Sequence, residues 1–460
     1  MHLPDGLRFM QDASAPLMIG VLHRSYLRLR ALSAWLQRRF TPAGGFVLAG
    51  LALTAGASDP DTMGVSAFVL LLAMLSAAWL AAPLFQARFA VERQAPRFVT
   101  AGEPFTLRVR VQNLSNRTQR GLEYLENLRD PPVTAAEFAA RLRPGRGNRS
   151  FRIESPLPPI RPARVRPEPI PVLPSRGRIE LRVEIVAYRR GPLVLTGGWL
   201  ARADPFGLVR AFSRTSTPQT VLVLPRRYPL PPLSLPGQSQ YQRGGVSMAA
   251  GVGESEEFVA LREYRRGDSL RRVHWRSSAR RGQLIVKECQ DEHFVRHALV
   301  LDTFCEASRD ALFEEAVAVA ASFACTVPDQ DSLLDLLFVG PKTVCVTSGR
   351  GVGHVQQMLE VLAAVKPCRE SRLAELESLV LDHSPVLSGC LLVLLEWDEP
   401  RRALVRRLRA LRVPVLAMIL MRPGETRAFD PGAAADQPDR LLRLESGRVG
   451  EGLQQLGEMR

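Results

Sequence analysis

The chain has 460 residues, which exceeds the length of one ordinary domain and allows several buried cores. Its net charge of +15 would suit an acidic partner, but Lys287, Lys342 and Lys366 are the only lysines, and a genome-wide compositional bias also produces such an arginine excess. Charge alone therefore does not indicate nucleic-acid binding, and six cysteines without CxxC pairs or clustered histidines exclude a recognisable zinc site.

Residues 1–40 form a basic segment with helical periodicity. Its apolar side chains recur opposite the arginines, at Leu22, Tyr26, Leu29, Leu32, Trp35 and Leu36. This pattern is typical of an amphipathic helix that lies on the inner leaflet of a membrane. We therefore expect a cytoplasmic basic amphipathic segment.

Two uncharged runs follow, at residues 40–58 and 62–87, with Asp59 and Asp61 in the turn between them. At about 1.5 Å per residue, each run can cross a hydrocarbon core of about 30 Å. Residues 41–87 therefore predict two transmembrane helices in a hairpin, and the alternative is a buried helix pair in a soluble protein. Arginines flank the pair and the turn has none, so both termini are expected in the cytoplasm and the protein in the inner (cytoplasmic) membrane.

Residues 88–225 change to a period of two. Apolar and polar residues alternate at 105–112, 179–186 and 193–200, as they do in half-buried strands. Several short strands with turns between them predict a small β-sandwich-like domain without visible chemistry. Residues 226–252, rich in Pro, Gly, Ser and Gln, are expected to form a linker.

Residues 253–440 predict an α/β domain. Apolar strands are expected at 297–302, 333–339, 343–347, 390–395 and 413–420, with helices at 371–381 and 401–411 and around Phe313 and Leu359. Such alternation predicts a mainly parallel sheet covered on both faces, and the short connection between the second and third strands predicts one antiparallel edge strand. Residues 441–460 are expected to be a C-terminal tail.

The densest motif lies between Glu254 and Glu288. It resembles the family catalogued as domain of unknown function 58 (DUF58), whose signature reads Arg-Glu-Tyr, Gly-Asp, Arg-Arg, a hydrophobic residue, Asp or His, Trp, and Ala-Arg. The resemblance extends to the predicted hairpin and to the segment 204–208. The signature and adjoining positions in this chain are Arg262, Glu263, Tyr264, Arg265, Arg266, Gly267, Asp268, Arg271, Arg272, His274, Trp275, Ala279 and Arg280.

The resemblance implies a multidomain protein with a transmembrane hairpin, a small β-sandwich and an α/β domain like a degenerate von Willebrand factor A domain, which is Rossmann-like. It also implies association with a MoxR-type AAA+ ATPase. We therefore expect a membrane-anchored scaffold or adaptor that helps this ATPase to assemble or remodel client proteins. No enzymatic activity, cofactor, nucleic acid or small-molecule substrate is expected.

Eight arginines lie between Arg262 and Arg281, and two interpretations of them stay open. In one, their guanidinium groups pair with Glu257, Glu263 and Asp268 and stack on Tyr264 and Trp275, closing a loop onto the core with the Trp275 ring buried. In the other, some arginines form a docking surface for an acidic partner. Nucleic-acid binding by the same segment would predict an affinity that falls steeply with salt.

A working von Willebrand A metal site carries Asp-x-Ser-x-Ser after its first strand, a ligand set that suits a hard cation such as Mg²⁺. The matching positions here are Asp302, Phe304 and Glu306, and Phe304 cannot bind a metal. We therefore expect a degenerate site. The alternative function is a metal-dependent hydrolase that uses Asp302, Glu306 and Asp398 at the ligand-binding edge of the sheet.

Overall fold

A computed structural model describes most of the chain, which divides into two compact units, Met1–Leu224 and Pro225–Arg460. The described residues are 15–56, 63–82, 88–129, 138–139, 142–144, 151–153, 162–215, 217–231, 257–265, 270, 273–290, 295–327, 332–349, 355–425 and 441–457.

Three helices begin the first unit: α1 (Ala15–Arg39), α2 (Pro42–Gly56) and α3 (Met63–Ala81). Among the described helices, α3 alone is long and apolar enough to cross a membrane, and only 6% of its most apolar stretch is buried within the protein. α2 is also apolar, but its 15 residues rise about 22 Å, which falls short of a hydrocarbon core of about 30 Å. The first of the two expected spans is therefore shorter than its uncharged run of sequence.

The loop at residues 204–209 fixes the junction between α1 and α2. Its Asp204 side chain accepts hydrogen bonds from the backbone N–H groups of Leu208 (2.7 Å) and Val209 (2.6 Å), which holds a tight turn. The N–H of Thr41 donates to Leu208 O over 3.0 Å. Gly44 packs so closely on the same carbonyl that a Cβ atom there would clash with it. The turn therefore ties the start of α2 to the strands.

Two sheets form the rest of this unit, with a separate pair β5 (Leu142–Pro144) and β6 (Phe151–Ile153). The four-stranded sheet has the order β1 (Phe89–Gln94), β3 (Pro104–Asn113), β9 (Arg178–Ala187) and β7 (Ala163–Val165). The six-stranded sheet has the order β2 (Phe98–Thr100), β12 (Gln219–Leu224), β10 (Gly191–Ala203), β4 (Leu122–Leu128) and β8 (Glu168–Ile170), with β11 (Arg210–Thr215) paired to β10.

Alternating residues of these strands build one core. Leu107 and Val109 of β3 are fully buried, whereas Arg108 between them is exposed. The same core contains Leu195 of β10 and Val223 of β12, which belong to the other sheet. The two sheets therefore share a hydrophobic core, with strands where the period of two predicts them.

A buried polar cluster of Tyr124, Glu126 and Arg93 lies in this core, and the sequence did not predict it. Tyr124 donates its hydroxyl proton to Glu126 over 2.5 Å, and Arg93 pairs with the other carboxylate oxygen. Burial raises the pKa of Glu126 to about 7, although the hydrogen bond from Tyr124 and the charge of Arg93 act in the opposite direction. A Cβ atom at Gly198 would lie 2.5 Å from the Tyr124 hydroxyl, so the missing side chain leaves room for the ring.

The second unit begins with the antiparallel pair β13 (Glu257–Glu263) and β14 (Ile285–Gln290), joined through α4 (Trp275–Arg281). A six-stranded sheet follows in the order β17 (Thr343–Ser348), β16 (Ser332–Val339), β15 (Val295–Leu301), β18 (Gly389–Leu394), β19 (Val415–Met421) and β20 (Leu441–Glu445). The edge strand β17 is antiparallel to β16, as the short connection predicts, and the other neighbours are parallel.

The remaining helices are α5 (Asp310–Thr326), α6 (Val355–Ala364), α7 (Leu373–His383), α8 (Glu399–Ala410) and α9 (Val449–Gln454). α5 is rich in Ala and Val on all sides and is buried along most of its length, including Phe313 and Phe323. Leu376 and Val380 of α7 and Leu404 and Leu408 of α8 share a core with β15, β18 and β19.

The structure corrects the expectation of a C-terminal tail at residues 441–460. β20 pairs in parallel with β19, and Leu444 and Leu453 are fully buried. The strand has only five residues and a charged one, Arg443, at its centre, so its sequence pattern is weak. The apolar edge of β19 is what makes the pairing favourable.

Candidate functional site

Local hydrogen bonds shape the segment that carries the signature motif. The N–H of His274 donates to Ile285 O over 2.8 Å, which links the start of α4 to β14. The buried hydroxyl of Ser278 accepts from the N–H of Ile285 at 2.9 Å and donates to His274 O at 3.1 Å. α4 is therefore pinned along β14 through its serine side.

His274 itself has a local partner. Its Nδ1 lies 2.7 Å from the hydroxyl of Ser277, one turn into α4. The ring is half-buried at the start of the helix. This geometry suits a residue that organises the turn before α4.

The opposite side of α4 is exposed, which disagrees with the one of the two interpretations that buries the Trp275 ring. The Trp275 side chain is 66% exposed. Arg276, Ala279 and Arg280 are also exposed. Residues four apart in a helix lie on one face, so Trp275 adjoins Ala279 and Arg276 adjoins Arg280. We call these four residues the α4 face. Within the described part of the chain, no carboxylate pairs with Arg276 or Arg280.

Hydrogen bonds along the β13–β14 pair hold the beginning of the signature. Glu263 accepts a hydrogen bond from the side-chain amide of Gln283 over 2.7 Å, and Arg262 donates to Glu263 O over 3.2 Å. Tyr264 donates its backbone N–H to Leu284 O, which extends the β13–β14 pairing. Arg265 is exposed, and the motif residues Arg266, Gly267, Asp268, Arg271 and Arg272 lie outside the described residues.

The second candidate site lies at the carboxyl end of β15. Asp302 is fully buried there, and its Oδ1 accepts from the N–H of Phe304 at 3.0 Å. Its Oδ2 accepts from the N–H of Leu395 at 3.2 Å and from Nε of Arg401 at 2.7 Å. A guanidinium group therefore balances the charge of this carboxylate.

Arg401 was not among the predicted site residues, although it holds the cluster together. It is 3% exposed, and its Nη1 lies 2.7 Å from Asp398 and 3.4 Å from Glu396. Burial by itself lowers the pKa of Arg401, but the carboxylates of Asp302 and Asp398 outweigh it, so the pKa is raised above its usual value. Arg401 therefore remains protonated and lies between three carboxylates.

The structure brings together only part of the carboxylate set considered for a hydrolase. Asp302 and Asp398 meet through Arg401, whereas Glu306 is exposed and has no ion pair among the described residues. Phe304 is 4% exposed and packs in the core of the unit. In the part of the chain that the structure describes, no three His, Cys, Asp or Glu side chains are grouped as metal ligands.

A sequence signal for Arg401 exists in retrospect. Asp398 caps α8 by accepting from the N–H of Arg401 at 3.2 Å. A cation in the first turn of a helix opposes the helix dipole, so an arginine there suggests a tertiary acidic partner.

Beside Arg401 lies an open cleft of about 470 Å³ whose wall includes Glu396, Asp398 and Arg309. Arg309 donates to Leu395 O at 2.7 Å and lies 3.5 Å from Glu396 and 3.7 Å from Glu425. Glu396, Asp398 and Glu425 are therefore each paired with an arginine side chain.

One comparison with known proteins matches residues within the second unit. Residues 260–427 match the family described as protein of unknown function DUF58. The chain is 30% identical over 164 residues to the "uncharacterized protein YeaD" of Bacillus subtilis (strain 168), a match that covers 35% of this chain and 39% of that protein. The chain thus spans well under half the length of this relative.

Parts of the chain also align with two solved structures. A crystal structure of a Salmonella alpha-2-macroglobulin mutant has 14% identity and a TM-score of 0.19, covering 38% of this chain and 9% of that one. The ASH/PapD-like domain 7 of human CEP192 has 10% identity and a TM-score of 0.17, covering 30% of this chain and 86% of that one. Both scores are too low to indicate a shared fold.

Proposed function

Residues 260–427 place this chain in the DUF58 family, and from that premise we propose that it is a membrane-anchored cytoplasmic scaffold or adaptor. It works with a MoxR-type AAA+ ATPase in the assembly or remodelling of client proteins. The observation that supports this proposal best is the α4 face, where a largely exposed tryptophan lies beside two exposed arginines.

The membrane part of the proposal rests on α3 and on the charges around it. α3 crosses the inner membrane, and α2 forms the other helix of a hairpin. Because α2 is shorter than the hydrocarbon core is thick, the bilayer thins locally or flanking side chains extend to its surface. The basic residues at the end of α1, Arg38 and Arg39, stay on the cytoplasmic side. Both termini then lie in the cytoplasm.

The docking part of the proposal rests on chemistry. Tryptophan and arginine are the residues that most often carry binding energy at protein interfaces. Arg276 and Arg280 supply positive charge that no described carboxylate offsets, so the complementary partner surface is acidic. The α4 face is therefore proposed as the contact with the ATPase.

The α/β unit serves this role as a von Willebrand A-like binding domain without a metal. The guanidinium of Arg401 supplies, between Asp302 and Asp398, the positive charge that a divalent cation would supply in a working site. This arrangement disfavours the metal-dependent hydrolase.

Charge reversal on the α4 face tests the docking proposal. Arg276→Glu with Arg280→Glu should weaken capture of a purified MoxR-type ATPase at least tenfold, or about 1.4 kcal/mol, because the reversed charges repel an acidic surface. The affinity is measured with the full-length chain in detergent micelles. The melting temperature should change little, because both side chains are exposed.

A matched control uses Arg108→Glu with Arg182→Glu, two exposed arginines that face each other across β3 and β9. It changes the net charge by the same amount and should leave capture unchanged. Capture by the Arg276 and Arg280 variant with wild-type affinity would exclude the α4 face as the docking site. Equal loss in both would mean that capture depends on overall charge alone.

A further inference from the structure

A second cavity of about 470 Å³ lies within the first unit, apart from the sites described above. Its wall includes three arginines and three tryptophans: Arg38, Arg39, Arg214, Trp35, Trp79 and Trp199. None of its lining residues is a carboxylate. Its volume falls in the range of about 300–1,000 Å³ that small-molecule sites occupy.

Three separate elements supply this wall. Arg38 and Arg39 are the last two residues of α1. Trp79 lies two residues before the end of α3. Trp199 comes from β10 and Arg214 from β11, which face each other in the sheet. The elements are held in place where Thr41 and Gly44 pack on the loop at Leu208. The cavity is therefore a built feature of the unit.

Cation–π contacts organise the charges. Arg38 lies 5.3 Å and Arg214 4.7 Å from the centre of the Trp199 ring, and Arg39 lies 4.8 Å from that of Trp79. A guanidinium that stacks through its flat face on an aromatic ring keeps its in-plane N–H donors for other partners. Such donors bind two phosphate oxygens at once.

Arg39 and Arg214 bring two positive charges into the same wall. Burial lowers the pKa of Arg39, and the charge of Arg214 lowers it further. An anion between these two side chains would stabilise the protonated form of Arg39 and so raise its pKa against both effects. The ligand that fits the cavity is therefore negatively charged.

The position of Trp79 suggests where this anion comes from. A tryptophan near the end of an apolar helix marks the level of the lipid headgroups, where aromatic residues concentrate. Basic pockets next to membrane helices on the cytoplasmic side bind anionic headgroups. Arginine guanidinium groups already lie over the rings of Trp79 and Trp199, which disfavours a choline or ethanolamine cation at these two rings.

We propose that this cavity binds the phosphodiester headgroup of an anionic phospholipid, with Arg39 and Arg214 on the phosphate and the tryptophans against the glycerol region. The inference rests on the proposed membrane crossing of α3, and it goes beyond the docking role of α4. It gives the first unit a function of its own, which is to couple the anchor and the β sheets to the lipid composition of the membrane.

The test is native mass spectrometry of the full-length chain in detergent, titrated with phosphatidylglycerol, phosphatidylcholine or glycerol 3-phosphate. The wild-type chain should retain phosphatidylglycerol at a concentration at least about tenfold lower than phosphatidylcholine. Arg39→Gln with Arg214→Gln should reduce phosphatidylglycerol retention at least about tenfold. The control Arg108→Gln with Arg182→Gln removes two exposed arginines elsewhere in the unit and should retain the lipid as the wild type does.

Equal retention of the two lipids, or unchanged retention in the Arg39 and Arg214 variant, would overturn the proposal. Displacement of the lipid by glycerol 3-phosphate at equal concentration would mean that the anion is soluble, and the assignment to a lipid would be wrong. If the double variant does not fold, Arg214→Gln alone is used, because Arg214 is exposed, and a severalfold loss is expected. Loss of the lipid preference with intact ATPase capture would leave the scaffold proposal standing.

Discussion

At the scale of single residues, Arg401 determines what the carboxyl edge of the sheet can do. It lies between Asp302 and Asp398, with the buried Asp302 carboxylate at 2.7 Å. Removing one partner of a buried ion pair leaves an uncompensated charge and costs about 3–5 kcal/mol. The pair is therefore a structural requirement of this unit, whatever the unit binds.

Asp302→Ala should accordingly destabilise the α/β unit by about 3–5 kcal/mol, measured as hydrogen-exchange protection of β15 and β18 in the full-length chain. Glu306→Ala is the matched control, because Glu306 is an exposed carboxylate four positions away and its loss should change stability by less than about 0.5 kcal/mol. A metal-dependent hydrolase would give another result. Both substitutions would then abolish activity, and Asp302→Ala would leave the protection of both strands intact.

At the scale of elements, the junction of α2 with the loop at Leu208 links the apolar helices to the β sheets. Gly44 and Gly45 are neighbours in α2 with opposite surroundings. A Cβ atom at Gly44 would clash with Leu208 O, whereas one at Gly45 would have no atom within 4 Å. The close approach of backbone to backbone is what requires glycine at position 44.

Gly44→Ala should therefore destabilise the first unit by about 1–3 kcal/mol, because the clash is with backbone that cannot rotate away. Gly45→Ala should keep or slightly raise stability, since alanine favours a helix more than glycine does. Thermal unfolding of both variants in the same detergent measures the difference. Equal melting temperatures would show that the α2 junction contributes nothing to the stability of this unit.

At the scale of the whole molecule, the proposed topology places both termini on the same side of the membrane. It depends on α3 and on arginines that flank the helices but are missing from the turn. The large α/β unit and the α4 face are then accessible to a cytoplasmic ATPase.

Fusions of a phosphatase that is active only in the periplasm test this topology. A fusion at Pro60, in the turn, should be active, whereas fusions after Arg97 and at Arg460 should be inactive. An active fusion at Arg460 would contradict the cytoplasmic position of the α/β unit. An inactive fusion at Pro60 with inactive fusions at the other two sites would contradict the crossing.

Sequence periodicity predicted the positions of most of the described strands, because it follows the local alternation between buried and exposed positions. The period of two predicted β3, β9 and β10, and the apolar runs predicted the main strands of the second unit to within a few residues. The signature between Arg262 and Arg280 also predicted a resemblance to the DUF58 family, whose model matches residues 260–427. β20 was missed, because its five residues depend on the neighbouring strand for their stability.

Tertiary structure decided the chemistry of the sites. Asp302 and Arg401 are 99 positions apart, and no local pattern states which cation a buried carboxylate will meet. The sequence likewise left open whether Trp275 packs inside or faces solvent, and the pinning of α4 through Ser278 turns its ring outward. Arg39 and Arg214 line one cavity although they are far apart in the sequence, and the loop at Leu208 binds the chain just after α1. Contacts between distant segments depend on the free energy of the whole fold, which a single stretch of sequence does not contain.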